Sequence, residues 1–343
     1  MKTIYSEDHY QHQGKYELIN GEFLSPFENV KRMEIILERI KHTNMGEIIS
    51  PTDFGLEPIK RIHSERFVNF LQTAHDEWRK LRGDSDALPL IWPNRGLRMV
   101  EPESIDGKLG YFSYDAGTPI TATSWKAITA SVNVALSGAE KIMQGEKTIF
   151  SLCRPPGHHA DSEHFGGYCF FNNAAIAAQY MRDQGANKVA ILDVDYHHGN
   201  GTQSIFYNRS DVLFVSLHAN PHHEYPHFLG YQDESGEGLG VGFNFNYPMN
   251  FGTGWDLFRE ALELGIKNIL EYKPDVLVVS LGVDTYEKDP ISHFRLQHAD
   301  FTRIGQMIAA LKLPTHFVME GGYAVEEIGI NVVNTLTGFE GAM

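Results

Sequence analysis

The most constraining feature of this chain is a set of continuous apolar runs, each followed by polar residues. Runs that are apolar on both faces are typical of strands in a parallel sheet covered by helices on either side. Polar residues at the carboxyl ends of such strands lie where open α/β sheets bind ligands. The pattern therefore predicts one shared site, assembled from the segments TIFSLCRPPGHHA (148–160), KVAILDVDYHHGNGT (188–202), VLFVSLH (212–218), VLVVSLGVD (276–284) and THFVMEGGY (315–323).

Helical patterns alternate with these strands along most of the chain. The spacing predicts a first strand near 3–5, a helix opened by Pro26, a second from 64 to 81, and further helices near 122–145, 172–185, 254–272, 300–311 and 324–336. This alternation predicts an open, mainly parallel α/β sheet with helices on both faces. Because no linker or composition shift divides the chain, we expect a single domain over residues 1–343.

One segment, at about 83–115, departs from this pattern. It is rich in proline, carries apolar residues such as Ile91 and Trp92, and shows no sustained period. Long loops in compact domains are usually functional or disordered, and the apolar content argues against disorder. We expect an ordered insertion that contacts a partner or overhangs the site.

The formal net charge is −15, which argues against a nucleic-acid or anionic-membrane partner, because both need a basic surface. It favours the approach of a cationic substrate. No run reaches membrane-spanning length, and residues 1–14 lack the apolar core of a signal peptide. Cys153 and Cys169 give neither a disulfide framework nor a CxxC metal motif. We expect a cytoplasmic protein.

Three residues at two strand ends form a candidate metal site. Asp195 and His197 are separated by one residue, so both side chains point to the same side of an extended chain. Asp284, at the end of another strand, supplies a third ligand. Two carboxylates and one imidazole, with a position left open for water, suit a catalytic zinc or ferrous ion.

The adjacent His158 and His159 follow a rigid PPG turn and are candidates for proton transfer. We expect Asp193 to orient His158 through a ring N–H, and Asn200 to orient His159 in the same way. A neutral amide raises the pKa of an imidazole less than a carboxylate does, which makes His159 the predicted general base. His158 is predicted to stabilise the transition state electrostatically.

These groups predict hydrolysis of an amide by metal-activated water. A bound metal acidifies water and polarises a carbonyl, and His159 takes the water proton and passes it to the leaving amine. Tyr323, on the glycine-rich loop EGGY, can donate its phenol hydrogen to the developing oxyanion.

At this point the residues resemble the arginase–deacetylase superfamily, in particular zinc-dependent deacetylases of the histone deacetylase type. The matching motifs are RPPGHHA, GGYCFFNNAAIAA, DVDYHHGNGTQ, VSLH, VSLGVD and EGGY, in order over about residues 120–340. The resemblance implies an eight-stranded parallel sheet and the roles given above. It also implies a structural potassium site at Asp193, Asp195, His197, Ser216 and Leu217, and Asn200 resembles the class II members.

Within this superfamily the chain looks most like bacterial acetylpolyamine amidohydrolases. That likeness implies a substrate such as acetylputrescine or acetylcadaverine, and a homodimer formed through the 83–115 insertion, which narrows the entrance. Gly167, Tyr168 and Tyr225 match tunnel-wall positions. Acidic residues that would read a polyamine ammonium are Asp106 and Asp115, with Glu101 and Glu103 as further candidates, whereas position 117 is a glycine.

Three alternatives stay open. The same chemistry could serve acetyl-lysine peptides or other small N-acyl amines. A two-metal ureohydrolase shares the fold but needs further carboxylates at positions where this chain has His198, Gly199, Thr285 and Tyr286. A catalytically silent sensor of acetylated ligands would lack one of the catalytic groups.

Overall fold

The computed structural model describes residues 1–19 and 21–343. Its strands are β1 (Lys2–Ile4), β2 (Glu17–Ile19), β3 (Glu22–Leu24), β4 (Ile48–Ile49), β5 (Thr148–Ser151), β6 (Val189–Asp193), β7 (Val212–Ala219), β8 (Asn244–Met249), β9 (Val276–Leu281) and β10 (Thr315–Met319). Its α-helices are α1 (Lys31–His42), α2 (Glu57–Lys60), α3 (Glu65–Arg82), α4 (Ile105–Tyr111), α5 (Ser124–Met143), α6 (Asn173–Asp183), α7 (Asn200–Phe206), α8 (Trp255–Tyr272), α9 (His298–Ala309) and α10 (Val325–Ala342).

Eight of the strands form one sheet in the order β4–β1–β5–β10–β9–β6–β7–β8, and every neighbouring pair is parallel. The predicted open parallel sheet is therefore confirmed. β2 and β3 pair antiparallel as a separate hairpin. The sequence pattern predicts neither this hairpin nor the short edge strand β4.

The sheet is buried on both faces, which explains the uninterrupted apolar runs. Side chains alternate along a strand, so Ile191 of β6 packs into one core with α3, α5 and α6, while the adjacent Leu192 packs into a second core with α1, α8, α9 and α10. A sheet with helices on both faces needs apolar residues at every position of its central strands.

Local sequence signals set several helix ends. Ser64 accepts a hydrogen bond from the backbone N–H of Phe67 at the start of α3, and Asn172 caps α6 through Ala175. α10 continues to Ala342, beyond the predicted end near residue 336. Phe339 packs against Phe317 of β10, with ring centroids 5.0 Å apart, and this burial offsets the low helix propensity of Gly338.

The insertion at 83–115 packs partly on the domain and partly faces solvent. It contains α4, which the sequence pattern does not predict. Phe112, directly after α4, is buried and stacks on Phe70 of α3, and Trp92 donates a hydrogen bond to Ser113 at 2.9 Å. Leu90 and Ile91 are exposed. None of the helices in the described ranges is long and apolar enough to cross a membrane.

Candidate active site

Four neighbouring strands bring the predicted catalytic residues together. In the sheet, β10 and β9 lie between β5 and β6, so these four strands are neighbours in the centre of the sheet. Parallel strands end on the same side, and the residues that follow them therefore meet. They are His158 and His159 after β5, Tyr323 after β10, Asp284 after β9, and Asp195 and His197 after β6.

The three predicted metal ligands form one buried cluster. One ligand atom from each of Asp195, His197 and Asp284 lies within 4.8 Å of the others. Nδ1 of His197 is 3.0 Å from Oδ2 of Asp284 and 3.5 Å from Oδ1 of Asp195. Backbone N–H groups hold the carboxylates in place: Gly321 donates to Asp195 at 2.8 Å and Tyr196 donates to Asp284 at 2.7 Å.

The electrostatics of this cluster fit a bound cation. Burial and the nearby charge of Asp195 raise the pKa of Asp284 to about 8. Two carboxylates this close disfavour each other's ionised form, and a divalent ion between them would relieve that repulsion. A side chain at Gly321 would collide with the carboxylates of both aspartates, so the glycine leaves the space that they occupy.

The two histidines differ sharply in their surroundings. Nδ1 of His158 lies 2.9 Å from the Asp193 carboxylate, and Nδ1 of His159 lies 2.7 Å from the amide oxygen of Asn200. Against the effect of burial, Asp195 and Asp193 raise the pKa of His158 to about 10, whereas burial and the charge of His158 lower the pKa of His159 well below its ordinary value. The carboxylate partner thus favours the charged form of His158, whereas the amide partner of His159 leaves it in surroundings that favour the neutral form.

Tyr323 is held from two sides. Asp289 accepts hydrogen bonds from the backbone N–H groups of Tyr323, at 2.6 Å, and Ala324, at 3.2 Å. The Arg32 guanidinium lies 4.8 Å from the centre of the phenol ring and donates to the carbonyl of Gly322. Neither contact is predicted from the sequence, because Asp289 is 34 residues from Tyr323 and Arg32 is 290 residues from Gly322.

A cavity of about 340 Å³ opens above these groups, and His159, His197 and Tyr323 reach it. The predicted wall residues Gly167, Tyr168 and Tyr225 line it as well. The Tyr225 ring lies 4.9 Å from that of His159, and the Tyr168 ring lies 5.5 Å from that of Tyr323. Gly167 has a φ of 55°, and a side chain there would collide with the His159 ring, so the close approach requires glycine.

Of the predicted acidic substrate contacts, Asp115 lines the cavity and Asp106 does not, within the part of the chain that the structure describes. Asp106 forms an ion pair with Arg82 at 3.0 Å. Glu101 lies 3.6 Å from Arg66, and Glu103 is exposed. These three carboxylates therefore lie outside the cavity of this chain.

The residues of the implied potassium site lie on neighbouring strand ends. Asp193 of β6 is in register with Ser216 of β7, and Leu217 is buried next to it. Asp195 and His197 follow directly on the chain. Potassium binding at this position stays a prediction.

Several cavity residues are not predicted from the sequence. They are Glu17, Leu18 and Ile19 of β2, the loop residues Ala116, Gly117 and Ile291, and Glu224. The three residues of β2 could have been found from the sequence. The dipeptide Asn20–Gly21 stands between two short apolar stretches, and this pattern is typical of a hairpin.

The fold and the site define a class: metal-dependent hydrolases that carry their catalytic groups at the carboxyl ends of an open parallel sheet. The histone deacetylase domain model matches residues 26–338, and the chain belongs to this family.

The chain is 59% identical over 341 residues to acetylpolyamine amidohydrolase 2 of Pseudomonas aeruginosa, with 99% of each chain covered. It is 54% identical over 344 residues to acetylpolyamine amidohydrolase 1 of the same organism, which covers 100% of this chain and 99% of the relative. A crystal structure of acetylpolyamine aminohydrolase from Burkholderia pseudomallei matches with a TM-score of 0.95 and 36% identity, covering 100% of this chain and 99% of the other.

Proposed function

We propose that this chain is a zinc-dependent amidohydrolase that removes the acetyl group from N-acetylated polyamines of the acetylputrescine and acetylcadaverine type. The observation that carries the proposal is the meeting of Asp195, His197 and Asp284 with His158, His159 and Tyr323 beneath a cavity of about 340 Å³. This volume is at the lower end of the usual range for ligand pockets, and it suits a thin, linear chain. The similarity to acetylpolyamine amidohydrolases supports the substrate class.

The reaction divides among the residues as follows. A metal ion held by Asp195, His197 and Asp284 would supply Lewis acidity to the substrate carbonyl and to the attacking water. His159 takes the proton from the water and delivers it to the leaving amine. His158 remains a cation and stabilises the negative charge that develops, and the Tyr323 hydroxyl donates a hydrogen bond to the oxyanion. Acetate and the free amine are released.

The ligand set also bears on the choice of ion. Two carboxylates and one imidazole suit zinc, and they suit a ferrous ion as an alternative. Metal analysis of protein purified without added metal would distinguish the two.

The exposed surface of the insertion supports a homodimer as the working assembly. Leu90 is 88% exposed and Ile91 is 61% exposed, and apolar residues clustered in this way are typical of interaction sites. We propose that this surface pairs with a second copy and narrows the entrance. Sedimentation velocity on the Leu90→Ser, Ile91→Ser double variant should then show a shift from dimer to monomer, and an unchanged dimer would contradict this assembly.

The substrate class is tested by the rate of acetate release from three compounds. The zinc-loaded protein should hydrolyse N-acetylputrescine and N-acetylcadaverine with a higher kcat/KM than an acetyl-lysine peptide. A higher kcat/KM for the peptide would instead support a protein-type deacetylase with the same metal chemistry. The Tyr323→Phe variant serves as the control for a contaminating hydrolase.

A further inference from the structure

Glu320 is a buried carboxylate beside the active site that the proposed reaction does not use. It follows β10 directly, lies three residues before Tyr323, and is 0% exposed. Burying a carboxylate is costly unless its oxygens accept hydrogen bonds. The contacts of Glu320 therefore indicate what the side chain contributes.

The backbone of Glu320 is fixed at the centre of the sheet. Its N–H donates to the carbonyl of Leu281 on β9 at 3.0 Å, and its carbonyl accepts from the Arg32 guanidinium at 2.6 Å. The next residue, Gly321, donates its N–H to the predicted metal ligand Asp195. The side chain of Glu320 therefore extends from a backbone that is held on several sides.

From this position the carboxylate reaches across to the loop that follows β5. Its Oε2 accepts from the backbone N–H of Gly157 at 2.7 Å and from that of His158 at 3.1 Å. Gly157 and Glu320 are 163 positions apart in the chain. One oxygen atom thus joins the loop that carries both catalytic histidines to the loop that carries Tyr323.

The backbone of His158 is held from its other side by α7. Its carbonyl accepts from the backbone N–H groups of Gly201, at 3.1 Å, and of Thr202, at 3.2 Å. Gly157 is closely packed as well, since a Cβ there would lie 2.5 Å from the backbone nitrogen of Asn173. Glu320 and α7 together therefore set where this backbone, and with it the imidazole of His158, is placed.

The second oxygen of Glu320 makes no comparable contact. Oε1 is buried and has no hydrogen-bond partner in the described ranges. Both N–H groups of the β5 loop thus donate to one oxygen, and the oxygen of a neutral carboxamide can accept the same two bonds. What the contact requires is an acceptor that reaches the loop, and the negative charge is secondary.

We propose that Glu320 is a positioning residue that holds the loop of His158 and His159 at a fixed distance from Tyr323. The inference rests on the proposed function, in which these three side chains act together on one substrate amide. It goes beyond that function by assigning a role to a carboxylate that touches neither the water nor the amide. A misplacement of about 1 Å can cost about 100-fold in rate, so this contact contributes to kcat from outside the cavity.

The test compares kcat and KM for N-acetylputrescine in three zinc-loaded variants. Glu320→Gln keeps the reach and an acceptor oxygen but removes the charge, Glu320→Asp keeps the charge but is shorter by a methylene group, and Glu320→Met keeps the reach without an acceptor. In Glu320→Gln, kcat should stay within about fivefold of wild type, because a neutral acceptor gives a weaker hydrogen bond in the same place. In Glu320→Asp and Glu320→Met, kcat should fall by about 100-fold with little change in KM.

For each variant, the zinc content by mass spectrometry and the stability by urea unfolding are also measured, so that kcat refers to folded, metal-loaded protein. If Glu320→Asp or Glu320→Met does not fold, the other of the two still gives the comparison with Glu320→Gln. Glu326→Gln and Glu326→Asp are the matched controls, because Glu326 is exposed at the start of α10. They make the same changes of charge and length and should behave as wild type.

A wild-type kcat in Glu320→Asp or Glu320→Met would overturn the inference, because catalysis would then not depend on the contact with the β5 loop. A loss in Glu320→Gln as large as in Glu320→Met would overturn it too, since the charge and not the reach would then matter. A loss that disappears when kcat is expressed per folded, zinc-loaded chain would assign Glu320 a role in folding alone. If the wild-type enzyme hydrolyses no acetyl-diamine but cleaves an acetyl-lysine peptide, the proposed substrate class fails, and the same variants measured on the peptide still decide the role of Glu320.

Discussion

The floor and the mouth of the cavity are built in different ways. The floor consists of residues directly after β5, β6, β9 and β10, and its metal-binding group Asp195, His197 and Asp284 is at most 8% exposed. The mouth consists of β2, Asp115 at the end of the insertion, and the loop around Tyr225. The hairpin and the insertion also carry exposed side chains outside the cavity, such as Phe23 and Leu90, which are 67% and 88% exposed.

This difference separates chemistry from selectivity. Residues at strand ends inherit the rigidity of the sheet, and catalytic groups need placement to within fractions of an ångström. Loops tolerate changes in sequence and length more readily, so they can adapt the entrance to a substrate without moving the metal. Substitutions in the floor should therefore abolish turnover, whereas substitutions in the mouth should change which substrate is preferred.

The largest effect is expected for Asp284→Ala. It removes one of the three metal ligands. The loss of activity should therefore exceed the about 10–100-fold loss that follows when a residue hydrogen-bonded to a metal ligand is changed. Acetate release should fall to the uncatalysed background, and bound metal measured by mass spectrometry should fall with it. Asp233→Ala, an exposed position, is the control. Full metal occupancy together with full activity in Asp284→Ala would contradict this assignment.

Tyr323→Phe should give the next largest effect. The ring can still stack on Arg32, but the hydrogen bond to the oxyanion is lost, so kcat should fall by about 100–1,000-fold with little change in KM. Steady-state kinetics on N-acetylputrescine measures both parameters. Tyr16→Phe, on the exposed surface, should behave as wild type. If Tyr323→Phe raises KM and leaves kcat unchanged, the phenol contributes to binding and not to the transition state.

The packing beneath the floor should make stability depend on pH. Burial and the nearby Arg154 lower the pKa of His12 to about 4, so the unfolded chain binds a proton that the folded chain excludes as the pH falls from about 6.5 towards 4. Because of this residue alone, the free energy of unfolding should be about 2 kcal/mol lower at pH 5 than at pH 7. Urea unfolding at both pH values should show a smaller loss for His12→Gln than for wild type.

The control for that experiment is His222→Gln, since His222 is exposed. It should keep the pH dependence of the wild-type protein. An identical pH dependence in wild type and His12→Gln would show that the buried imidazole binds its proton equally well in the folded and unfolded states.

The smallest effect is expected in the mouth, for Asp115→Asn. The amide places a donor where the Gly167 N–H and the Tyr225 hydroxyl also donate, so the walls shift and kcat/KM should fall by about tenfold for charged and neutral substrates alike. Asp84→Asn, exposed in the insertion, is the control. A loss confined to cationic substrates would instead make Asp115 the residue that reads the ammonium.

The same comparison explains what the sequence can and cannot predict. The open parallel sheet and the side chains after its strands follow from apolar runs and local spacing, because topology alone brings β5, β10, β9 and β6 together. The buried contact of Glu28 with Arg154, at 2.7 Å, joins residues 126 positions apart. No local pattern in a single sequence carries such a contact.

The mouth was harder to predict for a different reason. α4 has seven residues and lies in a segment with several prolines, so its apolar period is too short to stand out. The strands of the hairpin have three residues each, and such short strands gain their stability from packing on the domain. The Asn20–Gly21 signal was present, but short apolar stretches around it are common in loops.

The most direct test of the account is a zinc titration of the metal-free protein, with acetate release from N-acetylputrescine as the readout. A single catalytic ion held by Asp195, His197 and Asp284 predicts activity that is absent at the start, rises in proportion to added zinc, and stops rising at one equivalent per chain. Activity that persists in the metal-free protein, or that keeps rising to two equivalents, would contradict it.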